Sequence, residues 1–248
     1  MHTKRLLLFI AVLAFATSAA AADLKVLCTN GIKAVVEDLL PKFERDSGDK
    51  VTILFEPSTQ LRKRVDAGEA FDLVIMTTTL IDEEIKSGKL AADSRTFLAR
   101  SGLGVSIRSG AKKPNIATVN AFKSALLGAE SITYATQGAS AAPFEVLVAK
   151  LGITAQLKPK YNLRNTAAEV GDAVSQGVVE LGIAPVSEIL PVRGVDLVGP
   201  FPKEVQSYVE LTGATGVSAK QQAEARKLLA FLIAPANLPV YKLKGMER

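Results

Sequence analysis

Between residues 24 and 76 the chain alternates strand-like apolar runs with amphipathic helical ones, and this alternation restricts its fold more than any other feature. Residues 24–28 (LKVLC) read as a buried strand. Ile32, Val35, Val36, Leu39, Leu40 and Phe43 then recur at helical spacing, with Lys33, Glu37, Asp38, Lys42 and Glu44 on the opposite face. Pro41, inside that pattern, predicts a kink or an early stop. Residues 51–55 (VTILF) form the second strand, 60–67 the second helix, closed by Gly68, and 73–76 the third strand. Strands separated by helices in this order lie parallel and are joined by crossovers. Ligands of such sheets sit beyond the carboxyl ends of the strands, at the starts of the following helices. Thr29-Asn30 and Ser58-Thr59 hold that edge in consecutive units, so they can face one crevice.

The middle of the chain repeats the pattern. Residues 102–107 read as a strand, 119–127 as a helix and 132–135 as a strand, followed by the polar loop Thr136-Gln137-Gly138-Ala139-Ser140. A helix over 141–151 stops at Gly152, Thr166 caps another that reaches Gln176, and 181–184 (LGIA) form the strand back. The tail holds a strand near 205–211, a helix over 220–233 and a last segment ending at Gly245. No low-complexity linker separates these units. The expected architecture is α/β with two lobes, each a mostly parallel sheet flanked by helices, joined by crossing strands near Leu103 and Ala184. Residues 23–103 and 188–248 would form lobe I and 104–187 lobe II.

Residues 1–22 read as a secretory leader: Lys4 and Arg5, an uncharged apolar run, then Ala20-Ala21-Ala22 where a signal peptidase cuts. Cleavage is expected after Ala22, with export to the periplasm. The run is too short for a comfortable membrane span, and no Cys follows it to carry a lipid anchor. His2 is the only histidine and Cys28 the only cysteine. The exported chain therefore has no imidazole and no intramolecular disulfide. That excludes His-Cys zinc sites, Ser-His-Asp triads and Cys-His pairs. Cys28 reads as a small buried hydrophobe, and no metal or cofactor is expected. The formal charge of +5 falls to about +3 without Lys4 and Arg5. These charges are dispersed, with no basic stripe interleaved with aromatics, so no nucleic-acid partner is expected.

The hydroxyl-bearing loops carry the functional reading. A helix start leaves backbone N–H groups unpaired and bears about half a positive charge. Several such starts around one cleft, extended by Ser and Thr hydroxyls, make a donor-rich, nearly neutral pocket for a small anion. Any one such loop is more often a plain helix cap, worth about 1 kcal/mol; four in equivalent places favour the pocket. Arg62-Lys63-Arg64 is a solvated face, or else Arg62, nearest the helix start, reaches the cleft to clamp a carboxylate.

The runs LCTNGIKAVVEDLLPKFERDSGDKV and STQLRKRVDAGEAFDLVI, with ASAAPFEVLVAKLGI and ELGIAPVSEILP further on, resemble the molybdate-binding-protein-like branch of bacterial periplasmic solute-binding proteins, from Leu24 to about Gly245. The resemblance implies a type II two-lobe fold, a small anion held between the lobes, a monomer, and delivery to an ABC transporter permease in the membrane. Carried onto this chain, the family's ligand contacts fall at Thr29, Asn30 and Gly31, at Ser58 and Thr59, near Ser140 and Ala141, and near Thr166 and Ala167. The first loop is shorter than in molybdate binders, and their tyrosine after the return strand is replaced by Pro185, so the resemblance fixes the pocket and not the ligand. The branch also contains a periplasmic aconitate isomerase. That alternative needs a base to take and return a proton. Without histidine, the candidates are Cys28, Tyr134 and Glu188.

Overall fold

The computed structural model describes residues 21–248, so the expected leader lies, apart from its last two residues, outside the described residues. Strand β1 (Asp23–Thr29) passes through a 3-10 turn (Asn30–Ile32) into helix α1 (Lys33–Ser47). β2 (Lys50–Glu56), α2 (Ser58–Asp66), β3 (Leu73–Thr77) and α3 (Thr78–Lys86) follow, each strand running almost directly into its helix. β1 lies parallel to β2, with Val26 opposite Ile53, and parallel to β3, with Leu27 opposite Val74. Alternate residues then bury on opposite faces. Val26 and Cys28 pack with Val35 and Leu39 of α1, while Leu27, Val74 and Met76 pack with Leu61 and Val65 of α2 and Ile81 of α3. Burial on both faces is why these strands read as unbroken apolar runs.

Helix α1 continues through Pro41 to Ser47, against the expected kink or stop, and ends at Gly48 in the left-handed region (φ 82°). Pro41 is exposed, as is Glu37, whose carbonyl the proline deprives of a donor. On that exposed face the carbonyl is open to solvent, so its lost partner does not stop the helix.

β4 (Thr96–Arg108) is the element both lobes share. Its first half pairs antiparallel with β8 (Tyr208–Thr215) in lobe I, and its second half lies between β6 (Leu181–Pro185) and β7 (Val195–Pro200) in lobe II. Between them come α4 (Val119–Gly128), β5 (Ile132–Tyr134), α5 (Ala141–Lys150), α6 (Thr154–Leu157), α7 (Ala167–Ser175) and α8 (Val186–Ile189). Helices α9 (Gln222–Leu232) and α10 (Leu238–Leu243) close the chain over lobe I. The sheet path is β2-β1-β3-β8-β4-β6-β5, with β7 on β4.

Two expectations shift. Lobe II is a mixed sheet: β5 and β6 are parallel, but β4 enters antiparallel to both its neighbours. The chain also returns to lobe I later than residue 188, because β7 still pairs with Gly104 to Arg108. The crossing comes after Pro200, where the Gln206 side chain accepts from Leu103 N–H (2.9 Å) and donates to Leu103 C=O (3.1 Å). An Asp, a Gly and a terminal Pro within VDLVGP hid β7 from a propensity reading.

Ala22 bears on the expected cleavage position. It is buried, its N–H donates to Asp49 Oδ1 (3.0 Å), and its C=O accepts from Lys50 N–H (2.7 Å). A cut after Ala22 would leave the buried Asp49 carboxylate without this donor, whereas a cut after Ala21 would place a full ammonium there. Ala19 and Ala21 supply the small residues that cut needs. If a leader is removed here, the expected mature N-terminus is therefore Ala22, and an intact mass one alanine lighter would contradict it.

Candidate functional site

Where the two lobes meet, the strand ends and helix starts enclose a cavity of about 90 Å³. From lobe I it is lined by Thr29, Asn30 and Gly31 after β1, by Pro57, Ser58 and Thr59 at the start of α2, and by Thr77 and Leu80 around the start of α3. From lobe II come Gln137, Gly138 and Ala139 before α5, Thr166 and Ala167 at the start of α7, and Glu188 of α8. Val209 and Leu211 of β8 form an apolar floor. Three helices of nine residues thus begin at this cavity, α2 and α3 from lobe I and α7 from lobe II, and the loop leading into α5 adds its backbone from lobe II. Among the lining residues there is no Lys, Arg or His.

The donors are arranged in a particular way. Pro57, not Ser58, holds the N-cap position of α2, and no side chain caps that helix. The Ser58 hydroxyl accepts from the Thr77 N–H (3.2 Å) and donates to Thr29 Oγ1 (3.0 Å). One buried hydroxyl therefore ties together the ends of β1 and β3 and the start of α2. It also leaves the Thr29 hydroxyl proton free to point into the cavity. Among the described residues, the amides of Ser58, Thr59, Ala139 and Ala167 donate to no backbone acceptor outside regular structure. Each belongs to the unpaired first turn of a helix or the loop just before it. Thr166 is a true cap, its hydroxyl accepting from Glu169 N–H (3.3 Å). Across the cleft mouth Gln60 Nε2 donates to Gln137 Oε1 (2.9 Å), and the Thr59 hydroxyl reaches Gln137 C=O (3.5 Å). These contacts join α2 of lobe I to the α5 loop of lobe II, so the cleft is shut.

Several expected site residues stand elsewhere. Arg62 does not line the cavity. It leaves the far side of α2 to pair with Glu83 and with Glu84 (3.1 Å), a carboxylate only 1% exposed that also meets Lys89 (3.2 Å). That buried acid draws the arginine away from the cleft. Ser140 and Ala141 are displaced from the cavity by the loop's own turn, which presents Gln137, Gly138 and Ala139 instead. Pro185 is buried at the end of β6 and serves as N-cap of α8, whose third residue, Glu188, enters the cavity.

The three candidate bases separate equally clearly. Cys28 is fully buried in the lobe I core. Burial, and secondarily Glu37, pushes its thiol pKa up, which disfavours the thiolate. The Tyr134 hydroxyl donates to Glu145 Oε1 (2.7 Å) away from the cavity; burial and then that bond raise its pKa. Of the three, only Glu188 lines the cavity. Its carboxyl makes no hydrogen bond or ion pair among the described residues, and desolvation raises its pKa from 4.5 to about 7. Thr77 was missed, although Thr77-Thr78-Thr79 follows β3 with the same strand-then-hydroxyl grammar as the other loops. The Val209 and Leu211 floor carried no local signal.

These placements yield a first test. Arg62→Ala is expected to change affinity for any cleft ligand less than about threefold, while lowering stability by about 1 to 3 kcal/mol through the buried Glu84. Calorimetry paired with urea unfolding separates the two effects, and a large affinity loss would restore Arg62 to the site.

Comparison with known proteins agrees with this architecture. The family pattern for bacterial extracellular solute-binding protein matches residues 24–247. An aconitate isomerase from Pseudomonas sp is 30% identical over 214 residues, covering 84% of this chain and 81% of that protein. The molybdate-binding protein ModA of Azotobacter vinelandii is 26% identical over 238 residues, 93% of this chain and 92% of the other. Among solved structures, the Azotobacter vinelandii periplasmic molybdate-binding protein superposes with a TM-score of 0.76 at 17% identity, covering 91% of this chain and 99% of that one. The sulfate-binding protein SubI of Mycobacterium tuberculosis gives 0.75 at 18% identity, with 91% and 86% covered. With its helix starts gathered at a cleft between two lobes, and that family pattern running nearly end to end, this chain belongs to the bacterial extracellular solute-binding proteins.

Proposed function

We propose that the protein captures a small anion between its lobes in the periplasm, after loss of the leader, and delivers it to the membrane permease of an ABC transporter. The observation that carries this reading is the convergence of three helix starts and the loop before α5, from both lobes, on a cavity with no cation in its wall. Unpaired amides and hydroxyls replace the water around an anion without the strong hold of a full counter-charge, so the ligand can leave again. Several charge-assisted bonds of about 1.5 to 3 kcal/mol each reach the roughly 8 kcal/mol of a micromolar site after ordering costs. Shared walls from both lobes make closure and capture one event. Thermal unfolding with molybdate, tungstate, sulfate, phosphate, citrate and both aconitates tests the reading. A ligand at a thousand times its dissociation constant adds about 4 kcal/mol of stability. If no anion shifts the melting temperature, the reading fails.

Glu188 and the 30% identical aconitate isomerase favour a second reading. An uncompensated carboxyl with a pKa of about 7 is suited to take a proton from a carbon beside a double bond and return it at the other end of the allylic system. Against this stands the cation-free wall, which would have to hold a tricarboxylate. Incubation with one aconitate isomer, with the other followed by chromatography, decides it. Turnover in the wild type that Glu188→Gln abolishes would establish the enzyme, and absence of turnover in the wild type would remove it.

A further inference from the structure

The anion-capture reading leaves one feature unexplained: a wall built to donate hydrogen bonds contains a carboxyl. Glu188 enters the cavity from α8, and its Oε1 lies 3.6 Å from where a Cβ on Gly31 would be. Leu211, a floor residue, is packed at the same point, 3.3 Å from that position. The elements packed against α8 are β4, β6, β7, the turn Asn30–Ile32 and the segment at Gly245 after α10, and β8 meets Glu188 through Leu211. Their charged groups are Arg100, which pairs with Glu247 of the chain end, Arg108, which lies against Gly177, Asp196, which bonds Ser109, Glu210, which is exposed on β8, and Lys244, which pairs with Asp38. None of these borders the cavity, and among the described residues Glu188 is the only ionisable one that does.

We propose, resting on the anion-capture reading, that Glu188 makes the cleft selective for an anion that carries a hydrogen-bond donor of its own, a hydroxy-carboxylate or a hydrogen-bearing oxyanion. The ligand's ionised oxygens face the helix starts, and its hydroxyl or acidic proton faces Glu188. A fully ionised oxyanion has nothing to offer that carboxylate and meets it with like charge. The desolvation that raises the Glu188 pKa also strengthens any bond it makes, since water competes poorly there. The selection therefore lies in an acceptor that the wrong ligand leaves unpaired, which discriminates more sharply than fit alone.

Two matched pairs test this whatever the natural ligand is. At about pH 8 hydrogen phosphate and sulfate have the same shape and nearly the same charge but differ by one proton, while L-malate and succinate differ by one hydroxyl. Calorimetry on the full mature protein should show the proton-bearing member binding at least about tenfold more tightly in one pair or both. Glu188→Gln, which keeps size but removes the charge and adds a donor, should collapse that ratio, chiefly by admitting the other member. Equal affinities within each pair, or a ratio unchanged in Glu188→Gln, would overturn the proposal while leaving anion capture standing. No binding by any of the four, together with a silent thermal panel, would overturn both.

Discussion

Ser58→Ala is expected to weaken anion binding by about tenfold to a hundredfold, although the Ser58 hydroxyl is already committed to the protein. The Ser58 Oγ holds one bond from Thr77 N–H and gives one to Thr29 Oγ1. With it gone, Thr29 is free to turn its proton away from the cavity, and a charge-assisted bond of about 1.5 to 3 kcal/mol is lost. The Thr77 N–H also loses its acceptor, at a cost of about 1 to 3 kcal/mol in stability. Because Ser58 acts through Thr29, the effects are not additive: Thr29→Val should cost a similar affinity, and the double variant little more than either alone. Isothermal titration with the tightest anion of the thermal panel, and urea unfolding of the same four proteins, measure both quantities. Additive losses in the double variant would mean that Ser58 contacts the ligand independently.

This chain shows which parts of a site are written locally. Thr29, Ser58, Thr59, Thr166 and Ala167 were legible because strand ends and helix starts are set by short-range pattern, and parallel topology then gathers them on one edge. Thr77 obeys the same rule and was available to it. Arg62 misled because its position depends on Glu83 and Glu84, acids on another helix with no sequence link to α2. Ser140 was misplaced by a turn whose course no propensity records, so the wall falls one to three residues earlier. The division between lobes was displaced for the same reason: β7 is held in lobe II by its ladder with β4, a pairing across some ninety residues of chain. Glu188 was singled out only as one base among three. Burial of Cys28 and the bond from Tyr134 to Glu145 are tertiary facts, and they leave it alone in the cavity.

The second large effect concerns pH. Affinity for sulfate is expected to be steady below about pH 7 and to fall up to about tenfold for each pH unit above it, until the Glu188 pKa of the complex is passed. The sign follows from linkage. Burial in the shut, empty cleft raises the Glu188 pKa to about 7, and a bound anion raises it further, by like-charge repulsion of about 4 kcal/mol at 4 Å and an effective dielectric of 20. Binding therefore takes up a proton, so the affinity present below the free-state pKa is lost as pH rises through and above it. A ligand with its own hydroxyl behaves oppositely: the ionised carboxylate is its partner, and its affinity holds or rises over the same range. Titration of sulfate and L-malate between about pH 6 and 9, in buffers of different ionisation enthalpy, reads both the affinity and the proton count. In Glu188→Gln the sulfate profile should become flat and its proton uptake vanish. A flat profile already in the wild type would mean that the carboxyl does not face the bound ion, and the donor-lined cavity would then act on its anion by dipoles alone.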